Sequence, residues 1–183
     1  MGKPVLSFEV DALRVEVYPG RLSMGQAAAA SAGCRMRDLL GKRDYISVAF
    51  AAAPSQNEFL EALVNEENID WQRVRAFHLG EYLGLGRDAP QSFAGFLDKH
   101  VFAKVRCGEI NYLRGDTSSP EDEVQRYAEL LGKYPLDIVF AGAGENGYLA
   151  FNDPPVADFD DLYLVKVVTL DEKCRIQQVN DGR

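Results

Sequence analysis

Leu13, Val15 and Val17 alternate with Arg14, Glu16 and Tyr18, and this period of two predicts a strand with one wet face. Pro19-Gly20 ends it. Ser23 with Gln26 then makes a capping-box pattern, and an alanine-rich helix is predicted to about Leu40, with Gly41 as its stop. Residues 45–51 lack strict alternation, as expected of a strand covered on both faces. A second capping box, Ser55-x-x-Glu58, opens a helix whose stripe is Phe59, Leu60 and Leu63. Val74–His78 reads as the next strand. Phe93, Phe96, Leu97 and Val101 repeat at helical spacing, residues 109–113 read as a strand, and Val124, Tyr127, Ala128 and Leu131 mark another helix. Residues 136–141 are apolar apart from Asp137 and predict a buried strand near the centre of a sheet. A late strand at 164–170 and a helix from Asp171 to near Val179 complete the pattern.

Short strands alternating with helices imply βαβ units: an α/β fold with a mostly parallel sheet of five or six strands and helices on both faces. No repeat, low-complexity tract or linker divides the chain, so residues 1–183 read as a single domain. In such sheets ligands bind outside the carboxyl ends of the strands. Three segments fall there: 51–56, 78–85 and 142–153. They predict one cleft lined by Ser55, Gly80, Asn146, Tyr148 and Asp153.

Composition narrows the partners. A net charge of −8 argues against broad binding to nucleic acid or an anionic membrane, both of which want a basic face. A phosphorylated small molecule remains open, because a few backbone N–H groups can hold a phosphate locally. Three cysteines, Cys34, Cys107 and Cys174, show no metal-ligand spacing and read as free thiols in a reducing cytosol. No apolar run approaches the ~20 residues that cross a bilayer, and Met1-Gly2-Lys3-Pro4 leads into no signal-peptide core. The expected location is cytoplasmic, with no metal.

Gly142-x-Gly144-x-x-Gly147 matches the dinucleotide fingerprint in letters, but no helical stripe follows it, so no nicotinamide or flavin cofactor is expected. The loop is either a tight glycine turn without a ligand, or a loop bringing N–H groups and the side chains of Asn146, Asn152 and Asp153 towards a sugar. Ser55 reads first as a helix cap, and the same geometry can hold an anion. His78 reads as a core histidine behind the site. Gly80 has no side chain with which to move a proton. If strand geometry persists, Glu81 points to the opposite face from position 80, whereas His78 and Tyr82 share its side.

Two segments carry a family resemblance: Phe77-His78-Leu79-Gly80-Glu81-Tyr82-Leu83-Gly84-Leu85 and Gly142-Ala143-Gly144-Glu145-Asn146-Gly147-Tyr148-Leu149-Ala150-Phe151-Asn152-Asp153-Pro154. Both resemble the signature of the glucosamine-6-phosphate deaminase/isomerase family. Asp88-Ala89-Pro90-Gln91-Ser92-Phe93 is similar to the family's lid-side segment, and residues 123–131, with Arg126 and Tyr127, to its fourth-helix pattern. The resemblance implies a modified Rossmann-like fold shared with phosphogluconolactonases. It also implies a phosphorylated amino sugar as substrate, conversion to a ketose phosphate with release of ammonia, and no cofactor or essential metal; a homo-oligomer is compatible with it. The catalytic positions it implies are Gly80, Asn146, Tyr148 and Asp153, and the substrate-binding ones Ser55, Gln56, Glu81 and Gly144. Several depart from the family. An aspartate is expected where Gly80 stands, a histidine at Tyr148, an aspartate at Asn146 and a glutamate at Asp153. The family's further C-terminal strand and helix, with a phosphate-binding lysine, are not matched, which reads as a truncated or divergent member. The alternatives are a sugar-phosphate-binding pseudoenzyme and a lactone hydrolase, and Tyr148 weakens the second as well.

Overall fold

The computed structural model describes residues 2–144, 147–154, 156–172, 175, 176 and 179. The chain opens with an antiparallel hairpin, β1 (Leu6–Val10) and β2 (Leu13–Val17), turning at Asp11 with φ of 51°. Pairing Leu6 with Val17, Phe8 with Val15 and Val10 with Leu13 puts six apolar side chains on one face. β1 was not anticipated, although Leu6, Phe8 and Val10 alternate with Ser7 and Glu9 as clearly as β2 does.

Helix α1 (Arg21–Leu40) follows, then β3 (Ile46–Phe50), α2 (Asn57–Val64), β4 (Val74–His78), the short α3 (Phe93–Leu97), β5 (Glu109–Ile110), α4 (Pro120–Lys133) and β6 (Ile138–Phe140). Among the described residues the main sheet has four parallel strands in the order β5-β4-β3-β6. Helices cover both faces, as the pattern predicts. Ile46, Val48 and Phe50 pack with Val74 and Ala76 under α1 and α2. The alternate positions Ala49 and Phe77 pack against Tyr127 of α4. Buried on both faces, β3 is the centre of the sheet.

Several expectations are corrected. Segment 136–141 is not central: among the described residues β6 is the sheet edge, and Val139 is 49% exposed. A continuous apolar run reports affinity for a sheet, not rank within it. Asp137, the one polar residue in the run, explains its register. Its amide donates to the Ser47 carbonyl at 2.9 Å, its carboxylate accepts from the Ser47 amide at 2.9 Å, and Arg43 pairs with it from outside. The sheet has four strands among the described residues rather than five or six. Residues 164–170 form no ladder there and run as a cover in which Val165 packs near Phe77. Glu172, Arg175, Ile176 and Val179 are helical, as predicted.

Neither capping box forms. α1 begins two residues before Ser23, whose hydroxyl donates to the Gly20 carbonyl at 2.9 Å. Pro54 instead starts a 3-10 turn that takes up Ser55 and Gln56, so α2 begins at Asn57 without a side-chain cap. Glu58 pairs with Arg21 through two contacts of 2.7 Å, tying the starts of the two helices together. Among the described residues no helix is long and apolar enough to cross a membrane.

Candidate functional site

At the carboxyl ends of the strands lies a cavity of about 760 Å³. Gly80, Glu81 and Tyr82 follow β4 on one wall, and Tyr148 and Phe151 come from the loop after β6 on another. Arg114 and Lys166 also line it.

His78 closes β4 and is fixed from all sides. Its Nδ1–H donates to the Gly80 carbonyl at 2.8 Å, and Nε2 accepts from the Leu113 amide at 2.9 Å. Those two bonds select the neutral tautomer. Burial also holds its pKa below the ordinary histidine value, against the raising effect of Glu81 and other nearby groups. The Tyr127 hydroxyl accepts from the His78 amide and donates to the His78 carbonyl, each at 2.9 Å. His78 is thus a scaffold residue, as the sequence suggests.

Glu81 has a different occupation from the one expected. Oε1 accepts from the amides of Tyr82 and Phe93, both at 3.0 Å. Oε2 accepts from the Ser92 hydroxyl at 3.0 Å and the Ala94 amide at 2.9 Å. These bonds use the roughly four acceptor directions of a carboxylate. Glu81 therefore holds its own loop rather than offering an acceptor to a ligand.

Over Gly80 stands an aromatic group. Phe151 is stacked with Phe93 at a centroid distance of 5.6 Å and an angle of 11°, and with Tyr148 at 6.4 Å and 15°. Tyr82 is tilted against Phe93 at 4.8 Å. A Cβ on Gly80 would meet the Phe151 ring at 3.2 Å. Ala150 and Phe151 both take left-handed backbone, with φ of 51° and 60°, at a cost of about 1–2 kcal/mol each. Phe151 sits inside the quoted motif, but its sequence gave no sign that the ring would occupy the space beside position 80.

The remaining expected residues distribute as follows. Gly144 supports Tyr148: its amide donates to the Tyr148 carbonyl at 2.9 Å, and a Cβ there would lie 2.1 Å from the ring. The glycine loop thus turns back on itself rather than opening into a helix. Ser55 and Gln56 meet the same loop, since a Cβ on Gly142 would be 3.7 Å from Ser55 Oγ and 3.1 Å from Gln56 Nε2. They do not line the cavity. Asp153 is buried, 1% exposed, and off the cavity wall; its carboxylate accepts from the Asp171 amide at 3.3 Å. Asn146 lies outside the described residues. Of the expected set, the cavity unites Gly80, Glu81 and Tyr148.

On the cavity lining too, Glu123 accepts from the Arg114 amide at 2.8 Å and pairs with Arg126. Burial works to raise its carboxyl, but Arg126 and that amide outweigh it and hold it below the usual range.

Comparison with known proteins adds the context. The family described as glucosamine-6-phosphate isomerases/6-phosphogluconolactonase matches residues 21–155. A glucosamine-6-phosphate deaminase of Streptococcus pneumoniae (strain 70585) is 32% identical over 121 residues, 66% of this chain and 51% of that protein. The chain thus spans about half the length of the curated relatives it matches. Among solved structures, a monomeric glucosamine-6-phosphate deaminase superposes with a TM-score of 0.79 at 23% identity, covering 88% of this chain and 67% of that one. A 6-phosphogluconolactonase from Shewanella baltica OS155 gives 0.63 at 19% identity, covering 72% and 57%. These structural likenesses show a shared fold.

Proposed function

Because the chain belongs to the glucosamine-6-phosphate isomerase/6-phosphogluconolactonase family, we propose that it is a deaminase/isomerase-type domain that binds a phosphorylated amino sugar and turns it over slowly or not at all. The observation that carries this reading is the pair Gly80 and Phe151. Moving a proton between C1 and C2 of a sugar needs a positioned base. Position 80 supplies none, and an aromatic ring stands where its side chain would extend. Tyr148 brings a phenol where the family has an imidazole, the side chain suited to moving protons near neutral pH. Glu81 is occupied by its own loop, and Asp153 is buried away from the cavity wall.

Binding has better support than turnover. The cavity has the volume of a small-molecule site. Its aromatic walls suit the apolar face of a sugar ring, and Arg114 is a cation that a phosphate would meet, whereas Lys166 is already paired with Asp161.

The test combines calorimetry with glucosamine 6-phosphate and a time course of ammonia release. The parent chain is expected to bind with little or no ammonia formed. Gly80→Asp with Tyr148→His, on a Phe151→Leu background that makes room for the carboxylate, is expected to raise turnover above either change alone. Robust release by the parent, unchanged in the combined variant, would show that another residue moves the proton.

A further inference from the structure

We propose that Glu81 is a positioning residue: its carboxylate latches the loop of residues 82–92 closed and thereby sets the aromatic wall against which a ligand binds. The proposal rests on the binding reading above and gives Glu81 a role in it that involves no contact with substrate.

The four bonds of Glu81 join the two ends of one loop. Tyr82 lies at its start, whereas Ser92, Phe93 and Ala94 lie at its end. Phe93 lies twelve positions after Glu81 in sequence, and the carboxylate closes that distance itself. Charge-assisted bonds to backbone amides are about twice as strong as neutral ones. Ser92 extends the latch, because its hydroxyl donates to Glu81 and accepts from the Gly95 amide at 3.2 Å, capping α3. Near the start of the loop the Gly84 amide donates to the Gly115 carbonyl at 2.7 Å, a second tether.

The latch reaches the cavity through Phe93. Fixing the Phe93 amide fixes the ring that stacks on Phe151, and Phe151 in turn stacks on Tyr148 and covers Gly80. Tyr82, whose amide Glu81 also holds, packs on both Phe93 and Phe151. One carboxylate therefore sets two of the rings directly and the others through them. Replacing it with an amide keeps the size and shape of the side chain, but it puts an N–H₂ group against backbone donors.

The test uses Glu81→Gln and the milder Ser92→Ala, with amide hydrogen exchange and calorimetric titration of glucosamine 6-phosphate. In Glu81→Gln the amides of Tyr82, Phe93 and Ala94 should exchange roughly tenfold faster or more, as loss of charged hydrogen bonds implies. Amides of β3 and β4 should keep their protection, and ligand affinity should fall about tenfold. Ser92→Ala should move the same quantities less, which keeps the test open if Glu81→Gln folds poorly. Unchanged protection of the loop in both variants overturns the latch. Faster exchange spread equally through β3 and β4, with affinity unaltered, shows a general stability role and overturns the positioning claim. If the parent does not bind the sugar phosphate, the binding reading and the ligand half of this proposal fail together, while the exchange data still decide whether the latch exists.

Discussion

A Cβ atom on Gly80 would lie 3.2 Å from Cδ2 of Phe151 and 3.3 Å from Cε2, so the ring and any side chain at position 80 compete for the same space. Gly80→Ala should therefore overpack this wall, and Gly80→Asp more so, with a cost on the order of 1–3 kcal/mol. Phe151→Leu should relieve the clash. In a double-mutant cycle read by urea denaturation, Gly80→Asp should cost less on the Phe151→Leu background than on the parent. Equal costs on both backgrounds would mean that the ring moves aside freely and does not guard the position.

Asp137 gives a second prediction. Ser47 is buried, and its amide has the Asp137 carboxylate as acceptor at 2.9 Å. Asp137→Ala leaves that amide unpaired and should destabilise the fold by roughly 1–3 kcal/mol. Arg43→Ala removes only the exposed partner of the same carboxylate and should cost less than about 1 kcal/mol. Thermal denaturation of the two variants separates these cases. Equal losses would move the weight from the buried amide to the ion pair.

The same residue shows where the sequence was legible. The order of strands and helices from β2 to α4 follows from periodicity, because each element buries one stripe or face and its apolar spacing must record that. Strand rank does not follow from it. The apolar run of β6 resembles that of a central strand, yet its place at the edge depends on which neighbours exist. The capping box at Ser55 failed for a related reason: Pro54 shifts the start of α2 by geometry local to the turn. At the site, Gly80 and Tyr148 were readable as missing chemistry. That Phe151 fills the gap, and that Glu81 serves its own loop, depends on side-chain directions which a linear pattern does not carry.

Tyr127 ties α4 to the end of β4 through one hydroxyl that serves both backbone groups of His78, each at 2.9 Å. Tyr127→Phe keeps the ring and its edge contact with Phe77, whose centroid is 5.8 Å away. It leaves the buried His78 amide without that acceptor. A loss of about 1–3 kcal/mol is expected, with faster hydrogen exchange concentrated at His78. Uniform exchange across the sheet, or no loss of stability, would mean that the ring contact rather than the hydroxyl holds the two elements together.

The last prediction concerns pH. His78 and His100, the chain's two histidines, both have pKa values lowered in the folded protein, in each case chiefly by burial. Their unfolded value is about 6.5. Above that pH both states are neutral, and the contribution to stability is fully present. As pH falls below it, the unfolded chain takes up protons that the folded chain resists, so stability declines until the folded values are reached. For His78 there is a second cause in the same direction, since a proton on Nε2 would abolish the bond from the Leu113 amide. The carboxyl groups held low, such as Glu123 beside Arg126, lose their contribution only nearer the carboxylate range, so the interval from about pH 6.5 down to 5 belongs to the histidines. Urea midpoints measured across that interval should fall with acidity in the parent. The fall should shrink in His78→Gln by more than in His100→Gln, because His100 lies in a less enclosed position stacked on Phe96. A parent whose midpoint is flat from pH 6.5 to 5 would show that protonating His78 in the folded state costs nothing, and that its bond from the Leu113 amide is not what fixes the loop after β4.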